Sequence, residues 1–421
     1  MLPPRPPRIV AFVLAGGEGK RLRPLTAARC KPAVPFGARY RLVDFVLSNL
    51  SNSRIRSIYL LVQYRAQALI EHIRRAWVVS PLQPDQFVTV VPPEMAPGCE
   101  SFQGTADAVY QSLRLIETHR PDLVAVFGAD HIYRMDVQQM VAFHLEREAD
   151  VTVAALPVPL EQARSFGIIE AEADGRVRGF QEKPERPAPM PGRADRAFAS
   201  MGNYLFRTEV LVRALVEAHE RRETDFGHHV LPRLAETHRL YAYDFATNEV
   251  PGIKPYEEQA YWRDVGTIDA YFEAHRDVLG PEPAFDAFNP QWPIYSSNYQ
   301  GPVAKILGGE LEDCVLGAAC VVHPGARIRR SIIRREAVVE PGAEIEDCII
   351  MDYARIGRGA RLRRVIVDRH NAIGPGERIG FDPEADDRRF TRSPGGVVVV
   401  PRGDVAFYAR DSRAAGPGYA E

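Results

Sequence analysis

Short apolar runs alternate with stretches of helical periodicity through the first part of the chain. Such runs are typical of strands buried in a parallel sheet, and the stretches between them are typical of covering helices. The predicted strands are residues 8–16, 57–64, 122–130 and 150–158. The predicted helices are residues 68–77, 105–120 and 140–149. This alternation predicts an α/β domain with a mostly parallel sheet, in which ligands bind at the carboxyl ends of the strands.

The alternation changes after residue 165. Two β-like runs flank Asp174-Gly175, a dipeptide that favours a tight hairpin. "MGNYLF" predicts another strand, and "YWRDVGTIDAYFEAHRDVL" ends the region in a helix. The Pro-rich "GPEPAFDAFNPQWP" has little periodicity and indicates a linker. We therefore expect one domain over residues 1–278, a linker over 279–302 and a second domain with a C-terminal tail over 303–421.

The last part of the chain is an internal repeat with a period of 17 residues, visible in the spacing of its aliphatic side chains. The columns are Leu316, Val322, Ile328; Ile333, Val339, Ile345; Ile350, Ile356, Leu362; and Val367, Ile373, Ile379. Glycine recurs at the same period, at residues 325, 342, 359 and 376. One inward aliphatic residue on each short side of a coil is the requirement of a three-sided parallel β-helix. Such a solenoid covers the first domain, joins subunits, or does both.

Charge and composition narrow the class of protein. The 53 basic and 55 acidic residues are well mixed, which argues against nucleic-acid binding. No apolar window is long enough for a membrane span, and no signal peptide precedes the first strand. The five scattered cysteines contain no C-x-x-C pair, so we expect neither disulfides nor structural zinc, and a cytoplasmic location. They are Cys30, Cys99, Cys314, Cys320 and Cys348.

The loop "LAGGEGKRLRPLT" follows the first strand, and its glycines leave backbone N–H groups free to approach an oxyanion. It is not a P-loop, since Leu14 and Arg21 stand at two of the required positions, and it is not a dinucleotide motif. The cations Arg21, Arg23, Arg29 and Lys31 indicate a polyphosphate ligand. Glu18 is the exception, and we expect its side chain to face the ribose side, a nearby arginine or solvent.

Two carboxylates far apart in sequence are candidate metal ligands. Asp130 follows a predicted strand in "FGAD", and Asp264 lies in "YWRDVGT". Together they could hold one Mg²⁺ that bridges phosphate oxygens. Glu182 and Lys183 in "FQEKP" are candidates for sugar hydroxyls and a phosphate. No H-x-x-H spacing or G-x-S-x-G elbow is present, which argues against a histidine-built zinc site and a serine hydrolase.

Read in order, these motifs resemble the glucose-1-phosphate adenylyltransferases, or ADP-glucose pyrophosphorylases. The motifs are "LAGGEGKRL", "CKPAVPFGARYRLVDFVLSN", "GTADAVYQS", "FGADHIYRMD", "FGIIE", "EKP", "SMGNYLF" and "YWRDVGT". The resemblance covers about residues 8 to 405, and "GGEGKRL" and "NEVPG" are most similar to actinobacterial-type enzymes. It implies a Rossmann-like nucleotidyltransferase domain and a C-terminal left-handed parallel β-helix. It also implies AMP transfer from ATP to α-D-glucose 1-phosphate, the committed step of glycogen biosynthesis.

The resemblance also implies site residues, a cofactor and partners. Arg21, Lys31 and Asp130 would be catalytic, with Mg²⁺ on Asp130 and Asp264. Glucose 1-phosphate would lie against Gly167, Glu182, Lys183 and Ser200. The nucleotide would lie against Leu14, Ala15, Gly16, Gly17, Gln63, Phe102, Gly104 and Thr105. The implied partners are ATP, glucose 1-phosphate, a sugar phosphate activator, and AMP, ADP or phosphate as inhibitor, in a homotetramer.

Some positions depart from the family's pattern. Phe102 lacks the hydroxyl of the aromatic residue that is common there, and Gln103 replaces a residue that is often basic. Enteric enzymes carry an activator-binding lysine and a histidine where this chain has Ala28 and Pro35. The effector-site arginines are present as Arg29, Arg41, Arg369 and Arg402. An anionic effector is therefore expected, with the identity of the activator left open.

Three other readings remain open from the sequence. The chain could use UTP, dTTP or GTP with a sugar 1-phosphate, since those enzymes share the glycine-rich loop and the strand-end aspartate. It could be a non-catalytic regulatory subunit, although Asp130, Lys183 and Asp264 are all present. It could carry an acetyltransferase on the β-helix, although the repeat is short and shows no evident catalytic histidine.

Overall fold

The computed structural model describes residues 5–79, 85–94 and 101–403. Its first part has strands β1 to β13: Ile9–Ala15, Pro35–Phe36, Tyr40–Arg41, Ser57–Val62, Phe87–Val91, Leu123–Gly128, His131–Tyr133, Val151–Pro159, Gly167–Ala171, Val177–Glu182, Arg196–Arg207, Leu240–Asp244 and Trp262–Asp264. Its α-helices α1 to α9 are Leu42–Asn52, Gln67–Ala76, Thr105–Tyr110, Leu113–His119, Val137–Glu146, Leu160–Ala163, Thr208–Glu220, Leu231–Thr237 and Ile268–Arg276. Short 3₁₀ or π turns are Lys20–Leu22, Lys31–Ala33, Phe226–Val230 and Phe245–Thr247.

These strands form the predicted α/β sheet, whose order is β10-β9-β11-β6-β1-β4-β5. Strands β6, β1, β4 and β5 are parallel, with the buried apolar runs that parallel strands require. Strand β11 runs antiparallel to β6, β8 and β9. The prediction of a parallel strand at 150–158 is thus half right, because β8 is parallel to β12 but antiparallel to β11.

Of two local features predicted from the sequence, a hairpin is present and a single helix is not. The predicted hairpin is confirmed: β9 pairs antiparallel with β10, and Gly175 has a φ of 86°. The single helix expected over 105–120 is instead two helices, α3 and α4. The Ser112 hydroxyl donates to the Ala108 carbonyl at 2.9 Å, a back-bond that bends helices, and Ser112 becomes the N-cap of α4.

The C-terminal part consists of short parallel strands that repeat around an apolar axis. Strands β14 to β27 are Lys305–Ile306, Glu310–Leu316, Val321–Val322, Arg327–Ile333, Val338–Val339, Glu344–Glu346, Ile349–Ile350, Arg355–Ile356, Arg361–Arg363, Val365–Val367, Ala372–Ile373, Arg378–Ile379, Thr391–Arg392 and Val398–Val400, and helix α10 is Pro383–Asp387. The predicted 17-residue register is confirmed, since Leu316, Ile333, Ile350 and Val367 pair in successive coils. The other two predicted columns pair in the same way, and the result is a parallel β-helix.

One outer face of the β-helix carries a charge ladder. Glu310, Arg327, Glu344 and Arg361 occupy equivalent positions in successive coils, so opposite charges are neighbours. Their ion pairs measure 3.5, 3.5 and 2.7 Å. The alternation ends at Arg378, which is paired in register with Arg361; both guanidinium groups lie over the Phe381 ring.

The β-helix covers the first part of the chain. Ile349, Met351, Ile366, Val397 and Val399 of the solenoid belong to one buried apolar cluster with side chains of the α/β part. The side chains from the α/β part include Leu22, Val34, Phe36, Phe45, Tyr271 and Phe272. Of the two roles expected for the solenoid, packing on the first domain is therefore observed.

The segment expected to be a linker forms no helix or strand between 279 and 302, but it is not loose. Phe285, Trp292 and Ile294 are at most 8% exposed, and Phe285 and Ile294 pack into the same apolar cluster between the α/β part and the solenoid. Within the described residues, Cys30, Cys314, Cys320 and Cys348 are unpaired, while Cys99 lies outside them, as does the tail from residue 404. Among the same residues, no helix is long and apolar enough to cross a membrane.

Candidate active site

A cavity of about 1550 Å³ opens at the carboxyl ends of the parallel strands, where the sheet topology predicts a ligand. It is lined by most of the residues that the sequence singled out: Leu14, Gly16, Gly17, Arg21, Gln63, Phe102, Gly104, Thr105, Asp130, Gly167, Glu182, Lys183, Ser200 and Asp264. Ala15 is buried in β1 and does not line the cavity. Lys31 does not line the cavity either, but its ammonium group contacts Asp130 and Asp264, which do.

That ammonium group connects the two candidate metal ligands. Lys31 Nζ is 2.9 Å from Asp130 Oδ2 and 2.9 Å from Asp264 Oδ1. Burial raises the pKa of Asp130, but Lys31 and the adjacent His131 outweigh burial and lower it to about 2. Burial lowers the pKa of Lys31, but the two carboxylates outweigh burial and raise it. The charged forms of Lys31 and Asp130 are therefore favoured by their contact.

Two short strands bring these carboxylates together. Strand β7 begins directly after Asp130, and it pairs antiparallel with β13 so that Asp264 stands opposite His131. The His131 ring packs against Trp262 with centroids 4.7 Å apart. Ligand atoms of Asp130, His131 and Asp264 lie within 4.8 Å of one another. Two carboxylates are hard oxygen donors, so this set fits a divalent cation such as Mg²⁺.

The glycine-rich loop is held by contacts on its outer side. Gly19 adopts a left-handed φ of 64°, and a Cβ there would come within 3.1 Å of Thr26 and Lys31. Glu18 pairs with Lys20 at 2.9 Å and with Arg23 at 2.8 Å, the nearby-arginine orientation among those expected. Neither Lys20 nor Arg23 lines the cavity, whereas Arg21 does. Of these loop cations, Arg21 is the one placed to meet a ligand.

The predicted sugar side lies on the β9–β10 hairpin and on β11. Gly167 and Glu182 are cross-strand partners, and a Cβ on Gly167 would come within 2.9 Å of the Glu182 carboxylate. Lys183 Nζ pairs with Glu182 at 2.7 Å, and its backbone has a φ of 48°. A left-handed lysine is unusual and marks local strain of the kind found at binding sites. Ser200 lies where the β11–β8 register shifts.

The predicted nucleotide side is built from β4 and the segment before α3. The Gln63 side chain bonds the backbone N–H and carbonyl of Phe102, which ties that segment to the end of β4. Thr105 Oγ1 donates to Asp225 Oδ2 at 2.9 Å, and Gly104 packs so closely that a Cβ would be 2.4 Å from the Thr224 carbonyl oxygen.

Sequence reasoning missed His131 and Asp225, which also line the cavity. Asp225 accepts hydrogen bonds from Gly227 and His228 backbone N–H groups and looks like an ordinary cap in the sequence. His131 lacks any metal-ligand spacing to another histidine. Its adjacency to Asp130 in "GADH" was the available signal.

The four arginines expected at an effector site also come together, between the β-helix and the segment 29–41. Arg29 forms a buried ion pair with Asp368, and Arg369 lies 3.7 Å from Asp352. Burial, together with the charge of Arg369, lowers the pKa of Arg41 to about 10. Arg402 in turn lowers the pKa of Arg369, which burial already depresses. The arrangement is a concentration of positive charge whose neighbouring carboxylates are Asp44, Asp352 and Asp368.

Comparison with known proteins gives matches over nearly the whole chain. Residues 10–280 match the nucleotidyl transferase family, and residues 304–400 match the GlmU-like C-terminal hexapeptide family. The chain is 54% identical to a glucose-1-phosphate adenylyltransferase of Thermodesulfovibrio yellowstonii, covering 94% of this chain and 96% of the relative. Proteins with the same name from Thermus thermophilus and Corynebacterium jeikeium are 49% and 45% identical. These matches cover 94% and 93% of this chain, and 98% and 97% of the relatives.

Proposed function

This chain belongs to the glucose-1-phosphate adenylyltransferases of the nucleotidyl transferase family, and we propose that it transfers AMP from ATP to α-D-glucose 1-phosphate. The products are ADP-glucose and pyrophosphate. The observation that carries the proposal is a single cavity with a cationic glycine-rich loop, a carboxylate pair and the Glu182–Lys183 pair on its wall. The cationic loop suits a polyphosphate, the carboxylate pair suits a divalent cation, and the Glu182–Lys183 pair suits a phosphorylated sugar.

The reaction is an in-line displacement at the α-phosphorus, in which a phosphate oxygen of glucose 1-phosphate attacks and pyrophosphate leaves. Such chemistry depends on positioning and charge neutralisation rather than on a covalent nucleophile. Arg21 and Lys31 neutralise the triphosphate, and Lys183 holds the phosphate of the sugar. Glu182, Gly167 and Ser200 receive the sugar. Mg²⁺ held by Asp130 and Asp264 would neutralise charge on the nucleotide's phosphate oxygens.

The nucleotide base is assigned to the wall formed by Gln63, Phe102, Gly104 and Thr105, with the triphosphate along Leu14, Gly16 and Gly17; the buried Ala15 supports that stretch from below without lining the cavity. The position of all four residues on the cavity wall supports this assignment. Phe102 supplies an aromatic ring there without the hydroxyl that is common in the family.

Regulation is assigned to the arginine cluster formed by Arg29, Arg41, Arg369 and Arg402. An anionic sugar phosphate would activate, and AMP, ADP or phosphate would inhibit, by binding guanidinium groups that the protein leaves partly uncompensated. Buried Nη1 of Arg29 and Nε of Arg369 make no hydrogen bond within the described residues, which supports a ligand that supplies acceptors.

We place this enzyme in the cytoplasm, at the committed step of glycogen synthesis, as a homotetramer. Exposed apolar side chains on the first coil of the β-helix, Val303, Ile306 and Leu307, support a subunit contact there. Light scattering coupled to size-exclusion chromatography measures the assembly, and a mass near 47 kDa for the native particle would contradict it.

The decisive experiment is a pyrophosphate-release assay with glucose 1-phosphate, Mg²⁺ and ATP, UTP, dTTP or GTP in turn. We expect clear preference for ATP. Preference for another nucleotide would reassign the chain to a different sugar-1-phosphate nucleotidyltransferase, and no release with any of the four would indicate a regulatory subunit.

A further inference from the structure

The Lys31 ammonium group occupies the place between the two carboxylates. It is 2.9 Å from one oxygen of each, and its side chain is only 9% exposed. Asp130 and Asp264 keep about a third of their side chains exposed towards the cavity. The cation therefore approaches the carboxylates from inside the protein, while the opposite side faces the ligand.

The backbone of Lys31 is fixed. Pro32 follows it in the 3₁₀ turn Lys31–Ala33, and the Cys30 N–H before it donates to the Arg65 carbonyl at 3.3 Å. Gly19 of the phosphate-binding loop lies against the Lys31 Cβ. Any exchange of partners by the ammonium group therefore has to come from rotation of its own side chain rather than from movement of the main chain.

A divalent cation bound to Asp130 and Asp264 would lie beside the ammonium group, whether on the oxygens that Lys31 contacts or on the second oxygen of each carboxylate. Two cations cannot share those oxygens cheaply, because like charges a few ångströms apart repel in a partly buried site. While Lys31 pairs with both carboxylates, its charge opposes the binding of a metal there, and an ammonium group that a metal displaces requires another anion. The phosphates of a nucleotide are such an anion and bind beside the same loop.

We propose that Lys31 is an internal competitor for the metal: it excludes divalent cations from Asp130 and Asp264 in the nucleotide-free protein and leaves when polyphosphate binds. The inference rests on the proposed role of the two aspartates as metal ligands. It makes binding of metal and nucleotide mutually dependent, since coupling between two ligands is reciprocal. It gives Lys31 a second role, beside neutralising phosphate, in a state that contains no nucleotide.

The test measures Mn²⁺ binding to the nucleotide-free protein, from the electron paramagnetic resonance signal of the free ion. Lys31→Met removes the charge at nearly constant volume, and Lys31→Gln is a second neutral variant in case the first does not fold. We expect Mn²⁺ to bind the neutral variants on the order of tenfold or more tightly than it binds the wild type, because one competing charge is gone. Mn²⁺ should also raise their melting temperature more than that of the wild type.

Lys183→Met is the matched control. It removes a lysine that lines the cavity but pairs with Glu182 instead of the two aspartates, so Mn²⁺ affinity should stay close to that of the wild type. Adding Asp264→Asn to Lys31→Met should abolish the gain. Equal or weaker Mn²⁺ binding by the neutral Lys31 variants would overturn the inference. Failure of the proposed function is separate, because it appears as a lack of pyrophosphate release by the wild type.

Discussion

At the scale of single residues, Asp130 is held ionised by its neighbours. Its pKa is about 2 because Lys31 and His131 outweigh burial, so the carboxylate is ionised over the physiological pH range and can act as a charged metal ligand. An amide at this position would keep the shape but lose the charge that a divalent cation and Lys31 both require.

Asp130→Asn should therefore reduce kcat by about 10²-fold or more, the usual scale for loss of an electrostatic group acting in a transition state. The change is measured by pyrophosphate release at saturating ATP and glucose 1-phosphate. Asp174→Asn, in the hairpin turn, is the control and should leave kcat near that of the wild type. Near-normal turnover in Asp130→Asn would remove Asp130 from the proposed chemistry.

His275 is a buried residue with no part in the proposed reaction. Its Nε2 accepts from the Gly37 N–H at 3.1 Å, and its Nδ1 is 2.8 Å from the Tyr271 carbonyl. Burial lowers its pKa from 6.5 to about 3, so the folded protein keeps it neutral while the unfolded chain takes up a proton below pH 6.5. Stability is thus intact above pH 6.5 and falls as the pH drops towards 3.

We expect this histidine to account for about 2 kcal/mol of the unfolding free energy lost between pH 7 and pH 5. Urea titrations at both pH values measure the loss, and His275→Gln should show a correspondingly smaller one. The exposed His228→Gln is the control. An identical loss in His275→Gln and the wild type would show that His275 does not set the acid sensitivity.

Motifs predicted part of the cavity lining, and predicted residues that follow strand ends, such as Gly16, Gln63 and Asp130, come together because strand ends meet at one edge of the sheet. The motifs did not predict which of these side chains contact one another. Nothing in the spacing of Lys31, Asp130 and Asp264 indicates that one ammonium group bridges both carboxylates, since that contact depends on how β7 and β13 pair.

At the scale of elements, the β-helix was the most predictable part. Its aliphatic residues recur every 17 positions, and equivalent residues of successive coils pair in parallel register. The break between α3 and α4 was not predictable from periodicity, because it depends on one serine bonding to its own helix. The antiparallel direction of β11 relative to β6 was equally unpredictable, since an apolar run has the same pattern in either direction.

The aliphatic columns of the β-helix predict the positions at which a substitution lowers its stability most. Ile345 is 2% exposed and pairs with Ile328 and Leu362 in the adjacent coils. Ile345→Ala should lower the free energy of unfolding by about 2–5 kcal/mol through the cavity that it leaves. Ile253→Ala, at a position 44% exposed, is the control and should change it by about 0.5 kcal/mol or less. Equal losses in denaturant titrations would contradict a packed axis.

At the scale of the whole molecule, the solenoid and the α/β part meet beside the active site. Arg334 of the β-helix pairs with Asp352 at 3.0 Å and donates to the Phe36 and Gly37 carbonyls. Arg29 is two residues from Lys31, so the arginine cluster and the contact of Lys31 with the two aspartates share one short segment. This is the physical basis for expecting a ligand at the cluster to alter catalysis.

Arg402→Ala should bring the ratio of activated to unactivated rate close to one, because an anionic activator loses one of its guanidinium partners. The ratio is measured with fructose 6-phosphate and fructose 1,6-bisphosphate, each at saturating substrate. The exposed Arg388→Ala is the matched control and should retain the wild-type ratio. An unchanged ratio in Arg402→Ala would exclude it from effector binding.

The charge ladder on the β-helix has a consequence for how this chain can grow. Equivalent positions in successive coils alternate between Glu and Arg, so a gene duplication that copied one coil would set like charges side by side. Copying two adjacent coils would preserve the alternation. The charge pattern of this solenoid therefore repeats every two coils, although its backbone repeats every coil.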